Sequence, residues 1–186
     1  MLTVLLLALA LSADAFAAAV CQGAAAEPRP SGVGAVRVGG VFGLSQALMP
    51  LLGWALGVAF AGLIQNVDHW IAFGLLSFLG VRMVHAGATA EPDCRGGPLI
   101  TGWPLLATAV ATSIDAAAAG VTLSVLATPV LLTCAVIGAV TFATSAGGVM
   151  LGRVLGSAAG SRAEVAGGVV LIGLGVKILI EHGVFG

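Results

Sequence analysis

Long apolar runs separated by short polar clusters dominate this chain, and their lengths predict membrane-spanning helices. A bilayer core about 30 Å thick is crossed by roughly 20 apolar residues. The first run is Leu2 to Gln22, followed by a polar, proline-broken loop from Ala24 to Arg37 that holds Glu27, Pro28, Arg29, Pro30 and Ser31. A second span covers Val38 to Ile64 and contains Gln46 and Pro50. A mid-span proline frees the carbonyl four residues back, here that of Gln46. Gln65, Asn66, Asp68 and His69 predict a turn, and Trp70 opens a third span to Gly87 as an interfacial anchor. The fourth span, Ile100 to Leu126, breaks at Thr128 and Pro129; the fifth is Val130 to Leu151. Arg153, Arg162 and Glu164 then bound a loop before the sixth, Val165 to Val184.

Two of these runs contain an acid in nearly the same setting. SADAFAAAV, Ser12 to Val20, places Asp14 past the middle of the first span, and SIDAAAAGV, Ser113 to Val121, places Asp115 in the fourth. Each has serine two residues before, alanine directly after and small residues behind. A lone carboxylate in hydrocarbon costs about 2.5 to 3.5 kcal/mol on insertion scales, so a matched pair calls for a purpose. The recurrence extends further. An offset of 99 aligns GWALG from Gly53 with GRVLG from Gly152 and brings Gln46 onto Ser145; an offset of 95 aligns LGVRM from Leu79 with LGVKI from Leu174.

The expected fold is therefore an all-α integral membrane protein, six transmembrane helices in two inverted three-helix repeats. Residues 1–90 form the first repeat, 91–98 a linker and 99–186 the second. Three helices is an odd number, so the second repeat enters the bilayer from the opposite face, and sites in such proteins lie near the midplane where the repeats meet.

Composition agrees: 8% of the 186 residues are charged and 59% hydrophobic, with a mean hydropathy of +1.13. The 28 glycines suit close helix packing in lipid. No basic cluster points to nucleic acid. Cys21, Cys94 and Cys134 are far apart and read as core or loop residues rather than a ligand set. The opening residues resemble a secretory leader ending in ADA or AAA, but no basic residue precedes the run and its counterpart recurs in mid-chain; it reads as a helix. Six of seven basic residues, Arg29, Arg37, Arg82, Arg95, Arg153 and Arg162, fall on one side, leaving Lys177 on the other. The positive-inside rule then puts both termini outside the cytoplasm.

Carboxylate, amide and hydroxyl oxygens suit hard divalent cations such as Mn2+ and Mg2+. Asp14 and Asp115 are the expected anchors, with Thr112, Thr141, Ser145 and Gln46 supplying neutral oxygens. Each neutral group also has a plainer reading as a hydrogen bond between helices. Two like charges in a low dielectric favour proton uptake when no cation is bound. Expelling a divalent ion from a negative interior costs about 4.6 kcal/mol per 100 mV, and two protons returning on Asp14 and Asp115 would cancel the charge. Arg82 and Lys177 correspond in the repeat; each lies towards a helix end and either snorkels to the interface or acts as a counter-charge when the metal is absent. His85 and His182 read as interfacial.

These stretches bear a resemblance to a known family. SADAFAAAVCQGA from Ser12, FGLSQALMPLLGWALG from Phe42, DHWIAFGLLSFLGVRM from Asp68, ATSIDAAAAGV from Ala111 and GGVVLIGLGVKIL from Gly167 resemble the MntP family of bacterial manganese exporters, within the LysE-like transporter superfamily. The resemblance implies a six-helix inner-membrane pump with Mn2+ as substrate, no permanently bound cofactor, and Asp14 and Asp115 in transport. Gln46 stands where some members have glutamate, and the linker is short with few acids. Two other readings compete. An intramembrane aspartyl protease also needs two acids, but a GxGD signature is absent around Asp115. An exporter of another divalent metal, or of an amino acid, would share the scaffold; for an amino acid, no mid-helix arginine is expected to receive the carboxylate.

Overall fold

In a computed structural model of the chain, both acid-bearing runs are interrupted at the serine that precedes the acid. The structure describes residues 2–27, 29–59, 68–89, 99–124, 129–155 and 158–181. The first run forms α1 (Leu2–Leu11) and α2 (Ala13–Ala25), parted at Ser12. Helix α3 (Gly32–Ala59) carries Pro50 inside it, and α4 spans Asp68–Thr89. The fourth run divides into α5 (Trp103–Thr112) and α6 (Ile114–Leu123), parted at Ser113 and bent by 42°. Helices α7 (Val130–Leu155) and α8 (Ala158–Glu181) complete the described elements, all of them helical. Helix satisfies every backbone group internally, as a chain in lipid requires. At the start of α5, Gly102 takes a φ of +67° that a side chain would resist, and Pro104 follows within the first turn, where no amide hydrogen is missed.

Among the described residues, three stretches are long and apolar enough to cross a membrane, Thr3–Ala25, Gly32–Ala59 and Val130–Gly152, and the bent α5–α6 pair makes a fourth if counted as one. Shorter apolar segments, Phe73–His85 and Val165–Lys177, lie in α4 and α8.

Glycines set which ends adjoin. A Cβ at Gly34 would lie 2.9 Å from Leu99, and one at Gly152 would meet Val20 at 2.2 Å, so the start of α3, the approach to α5 and the ends of α2 and α7 share one side. On the opposite side, Gly57 of α3 meets Ser124 and Val121 at the end of α6. The halves pack alike: Gly23 of α2 backs onto Val149 of α7 as Gly120 of α6 backs onto Pro50 of α3, and Val149 matches Pro50 at the offset of 99. Helices α4 and α8 pair through Gly80 and Gly168. One apolar core, including Leu7, Leu11, Leu76, Leu123, Ile137 and Leu171, fills the side where α3 and α6 end; a smaller one, with Ala19, Val38, Phe42, Leu105 and Val149, fills the other.

Several expectations need correction. Helix α7 runs through Arg153, and Arg162 and Glu164 lie within α8, so no loop surrounds them. Long charged side chains reach water from a terminal turn without ending it. Asp68 begins α4 rather than lying in a turn, an acid in a first turn being favoured by the helix dipole. Helix α3 starts at Gly32, inside the stretch expected to be loop up to Arg37, and Arg37 is exposed on its surface. Cys21 is disulfide-bonded, whereas Cys134 is free and buried. Cys94, Gln65, Asn66, Arg95, Thr128 and His182 lie outside the described residues.

Candidate cation site

The serine breaks determine where the acids sit. Ser12 turns its hydroxyl back to the carbonyl of Leu9 (2.9 Å), and Ser113 does the same to Ala109 (2.7 Å). Such back-bonding competes with the helix ladder and bends it. Asp14 then falls in the first turn of α2 and Asp115 in the first turn of α6. Each carboxylate accepts the amide hydrogen of the next residue, Ala15 to Asp14 at 2.7 Å and Ala116 to Asp115 at 2.8 Å. Both acids thus face the partial positive charge of a helix N-terminus, which offsets part of the cost of removing them from water.

The two acids meet. A cavity of about 380 Å3 is lined by Asp14, Ala17, Ala18, Arg82, Ala111, Thr112 and Asp115. The carboxyl of Asp115 interacts with that of Asp14 and with the Arg82 charge. Asp115 is 5% exposed, while Asp14 is half-buried. Ala17 and Ala18 follow Asp14 towards the end of α2, and Ala111 and Thr112 precede Asp115 towards the start of α5, so the cavity lies on the side where those ends adjoin. On the other side of the Ser12 break lie the larger apolar core and a second, mostly apolar cavity of about 320 Å3 lined by residues that include Leu9, Ser12, Phe16 and Val170.

The remaining expected residues divide. Thr112 lines the cavity, its hydroxyl donating to the carbonyls of Thr108 and Ala109 at 3.1 Å each, which leaves oxygen lone pairs available. Gln46, Thr141 and Ser145 are fully buried but do not line it. Gln46 instead clamps the first break. Ala15 gives its amide hydrogen to Asp14, and the Leu11 carbonyl four residues before it receives Gln46 Nε2. Gln46 Oε1, Thr141 Oγ1 and Ser145 Oγ have no hydrogen-bond partner among the described residues. Lys177 is remote, its Nζ donating to Thr3 Oγ1 (3.2 Å) at an exposed position near the start of α1. His85 is exposed on α4.

Arg82 lies in the last third of α4, towards one end of its helix as expected, yet it lines the cavity beside both acids, so an arginine is at hand there after all. Sequence alone did not reveal this, because which face of α4 meets the acids depends on how it packs against α8, through Gly80 and Gly168 among other contacts. Among the described residues no three His, Cys, Asp or Glu side chains converge. Two acids and neutral oxygens make a hard, loosely held site rather than a structural metal centre.

The Gln46 clamp gives a first prediction. Gln46→Leu removes the donor to Leu11 and leaves that buried carbonyl unsatisfied, at a cost of about 1 to 3 kcal/mol. The melting temperature of the purified protein in detergent is expected to fall; an unchanged midpoint would show that the clamp contributes nothing.

Comparison with known proteins decides the family. A family model described as "Putative manganese efflux pump" matches residues 29–179. The chain belongs to the MntP family. Among MntP relatives, each named "Putative manganese efflux pump MntP", that of Rhodospirillum rubrum is 49% identical over 187 residues, covering 97% of this chain and 96% of its own. The MntP protein of Paraburkholderia phytofirmans is 50% identical (96% and 94% covered), and that of Nitrosomonas eutropha 48% (96% and 98% covered). No solved structure matches.

Proposed function

We propose that this MntP chain exports Mn2+ across the bacterial inner membrane, binding it between Asp14 and Asp115. The observation that carries the reading is the convergence of both acids, from different halves of the chain, on one cavity. The names of its relatives supply the ion. Thr112 contributes a neutral oxygen beside the acids. The unpartnered oxygens of Gln46, Thr141 and Ser145 serve the ion as it moves past the break into the bundle.

The helices fit six spans in two inverted repeats, α1–α2, α3 and α4 against α5–α6, α7 and α8, as the matched packing of Pro50 and Val149 suggests. The arginine count assigns the cavity side to the cytoplasm and both termini to the outside.

Protons returning on the acids complete the cycle, because an unoccupied pair of carboxylates is unfavourable in a low dielectric. In proteoliposomes holding a proton gradient, Mn2+ movement is expected to fall at least about tenfold when the gradient is collapsed; an unchanged rate would remove proton antiport while leaving Mn2+ export standing. Arg82 does supply the anion-binding group that an amino-acid exporter would need. The two acids outnumber it, however, and the cavity remains a cation site.

A further inference from the structure

We propose that Arg82 is the tethered counter-cation of the acid pair, occupying the field of Asp14 and Asp115 when no metal is bound and displaced by the metal on loading. The inference rests on the reading of this cavity as the Mn2+ site and adds the group against which Mn2+ competes.

Three observations carry it. Among the described residues that line the cavity, Arg82 is the one basic side chain. It shares that cavity with both acids, and its charge acts on Asp115. Its side chain is exposed rather than packed in, leaving the guanidinium able to swing on its stem while the backbone of α4 stays fixed against α8. Lys177, its counterpart in the second half, is held instead by Thr3 near the far end of α1. The pair related by the repeat has therefore diverged, and only one member serves the site.

Charge arithmetic gives the arginine its role. Two carboxylates alone carry −2 in a low-dielectric cavity, and Arg82 reduces this to −1. A divalent cation brings the acids to zero by itself, so with the guanidinium still in place the site would be +1. Metal and arginine therefore exclude one another, and the arginine's return helps to expel the metal. Lysine at this position keeps the charge on a flexible stem, whereas glutamine and methionine remove it.

The test is Mn2+ binding to the purified full-length protein, following free Mn2+ by its electron paramagnetic resonance signal, together with export in proteoliposomes. R82Q is expected to bind Mn2+ at least about tenfold more tightly than the wild type, with KM and kcat for export both lowered because release is slowed. R82M, which retains the apolar stem, carries the same expectation should R82Q fail to fold. R82K is expected to stay within about threefold of the wild type. Unchanged or weaker binding by the neutral variants, or tightening by R82K equal to theirs, would overturn the proposal. D115N separates the two levels: if it binds Mn2+ like the wild type, the cation-site reading itself fails, whatever the Arg82 variants do.

Discussion

Cells lacking their own manganese exporter and expressing D14N or D115N are expected to accumulate Mn2+ and lose tolerance to it as fully as cells carrying no exporter. Asparagine is the informative replacement because its side-chain oxygen can still accept the amide hydrogen of Ala15 or Ala116, which holds each carboxylate at 2.7 and 2.8 Å. The helix breaks then survive and only the charge is lost. With one of two charges gone, affinity is expected to drop about 100-fold, or about 2.8 kcal/mol at 1.4 kcal/mol per decade. Cellular manganese measured at matched expression decides the matter; wild-type tolerance in both variants would remove the acids from transport.

The second large effect is expected where helices touch backbone to backbone. A Cβ added at Gly53 would lie 1.8 Å from the carbonyl oxygen of Ala117, and one at Gly120 would lie 2.2 Å from that of Pro50. Neither obstacle is a side chain that can rotate away, so α3 and α6 would have to separate. G53V and G120V are expected to cost at least about 1 to 3 kcal/mol, the usual range for overpacking. Because Asp115 sits at the head of α6, export should fall with stability. Gly40, where an added Cβ meets nothing, is the control. A melting temperature for G120V equal to that of G40V would show that the close approach is not needed.

Much of this arrangement was legible in the residues. Asp14 and Asp115 were conspicuous because an acid without a basic neighbour in an apolar run has few explanations, and the repeated serine, aspartate and alanine tied them to each other. Their meeting in one cavity is what the structure adds. The breaks were harder to read, since a mid-helix serine is compatible with a continuous helix until its hydroxyl turns back on the carbonyl of Leu9 or Ala109. Gln46 was visible as a buried amide, but an amide has two ends; the expectation used its oxygen, whereas it is the nitrogen that finds the carbonyl of Leu11. Arg82 does lie towards one end of its helix, but its share in the cavity was not legible, because the face that α4 turns to the acids is set by its packing on α8 through Gly80 and Gly168, which the local run does not show.

The cavity also has a size, about 380 Å3. Liquid water takes about 30 Å3 per molecule, so there is room for roughly a dozen molecules, twice the number in a first hydration shell of six. If the cavity takes up a cation as proposed, it has room for the ion with its first shell of water, and discrimination among hard cations would fall to the step in which that shell is shed. Mg2+, which dehydrates reluctantly, would be admitted as readily as Mn2+ and held back only there.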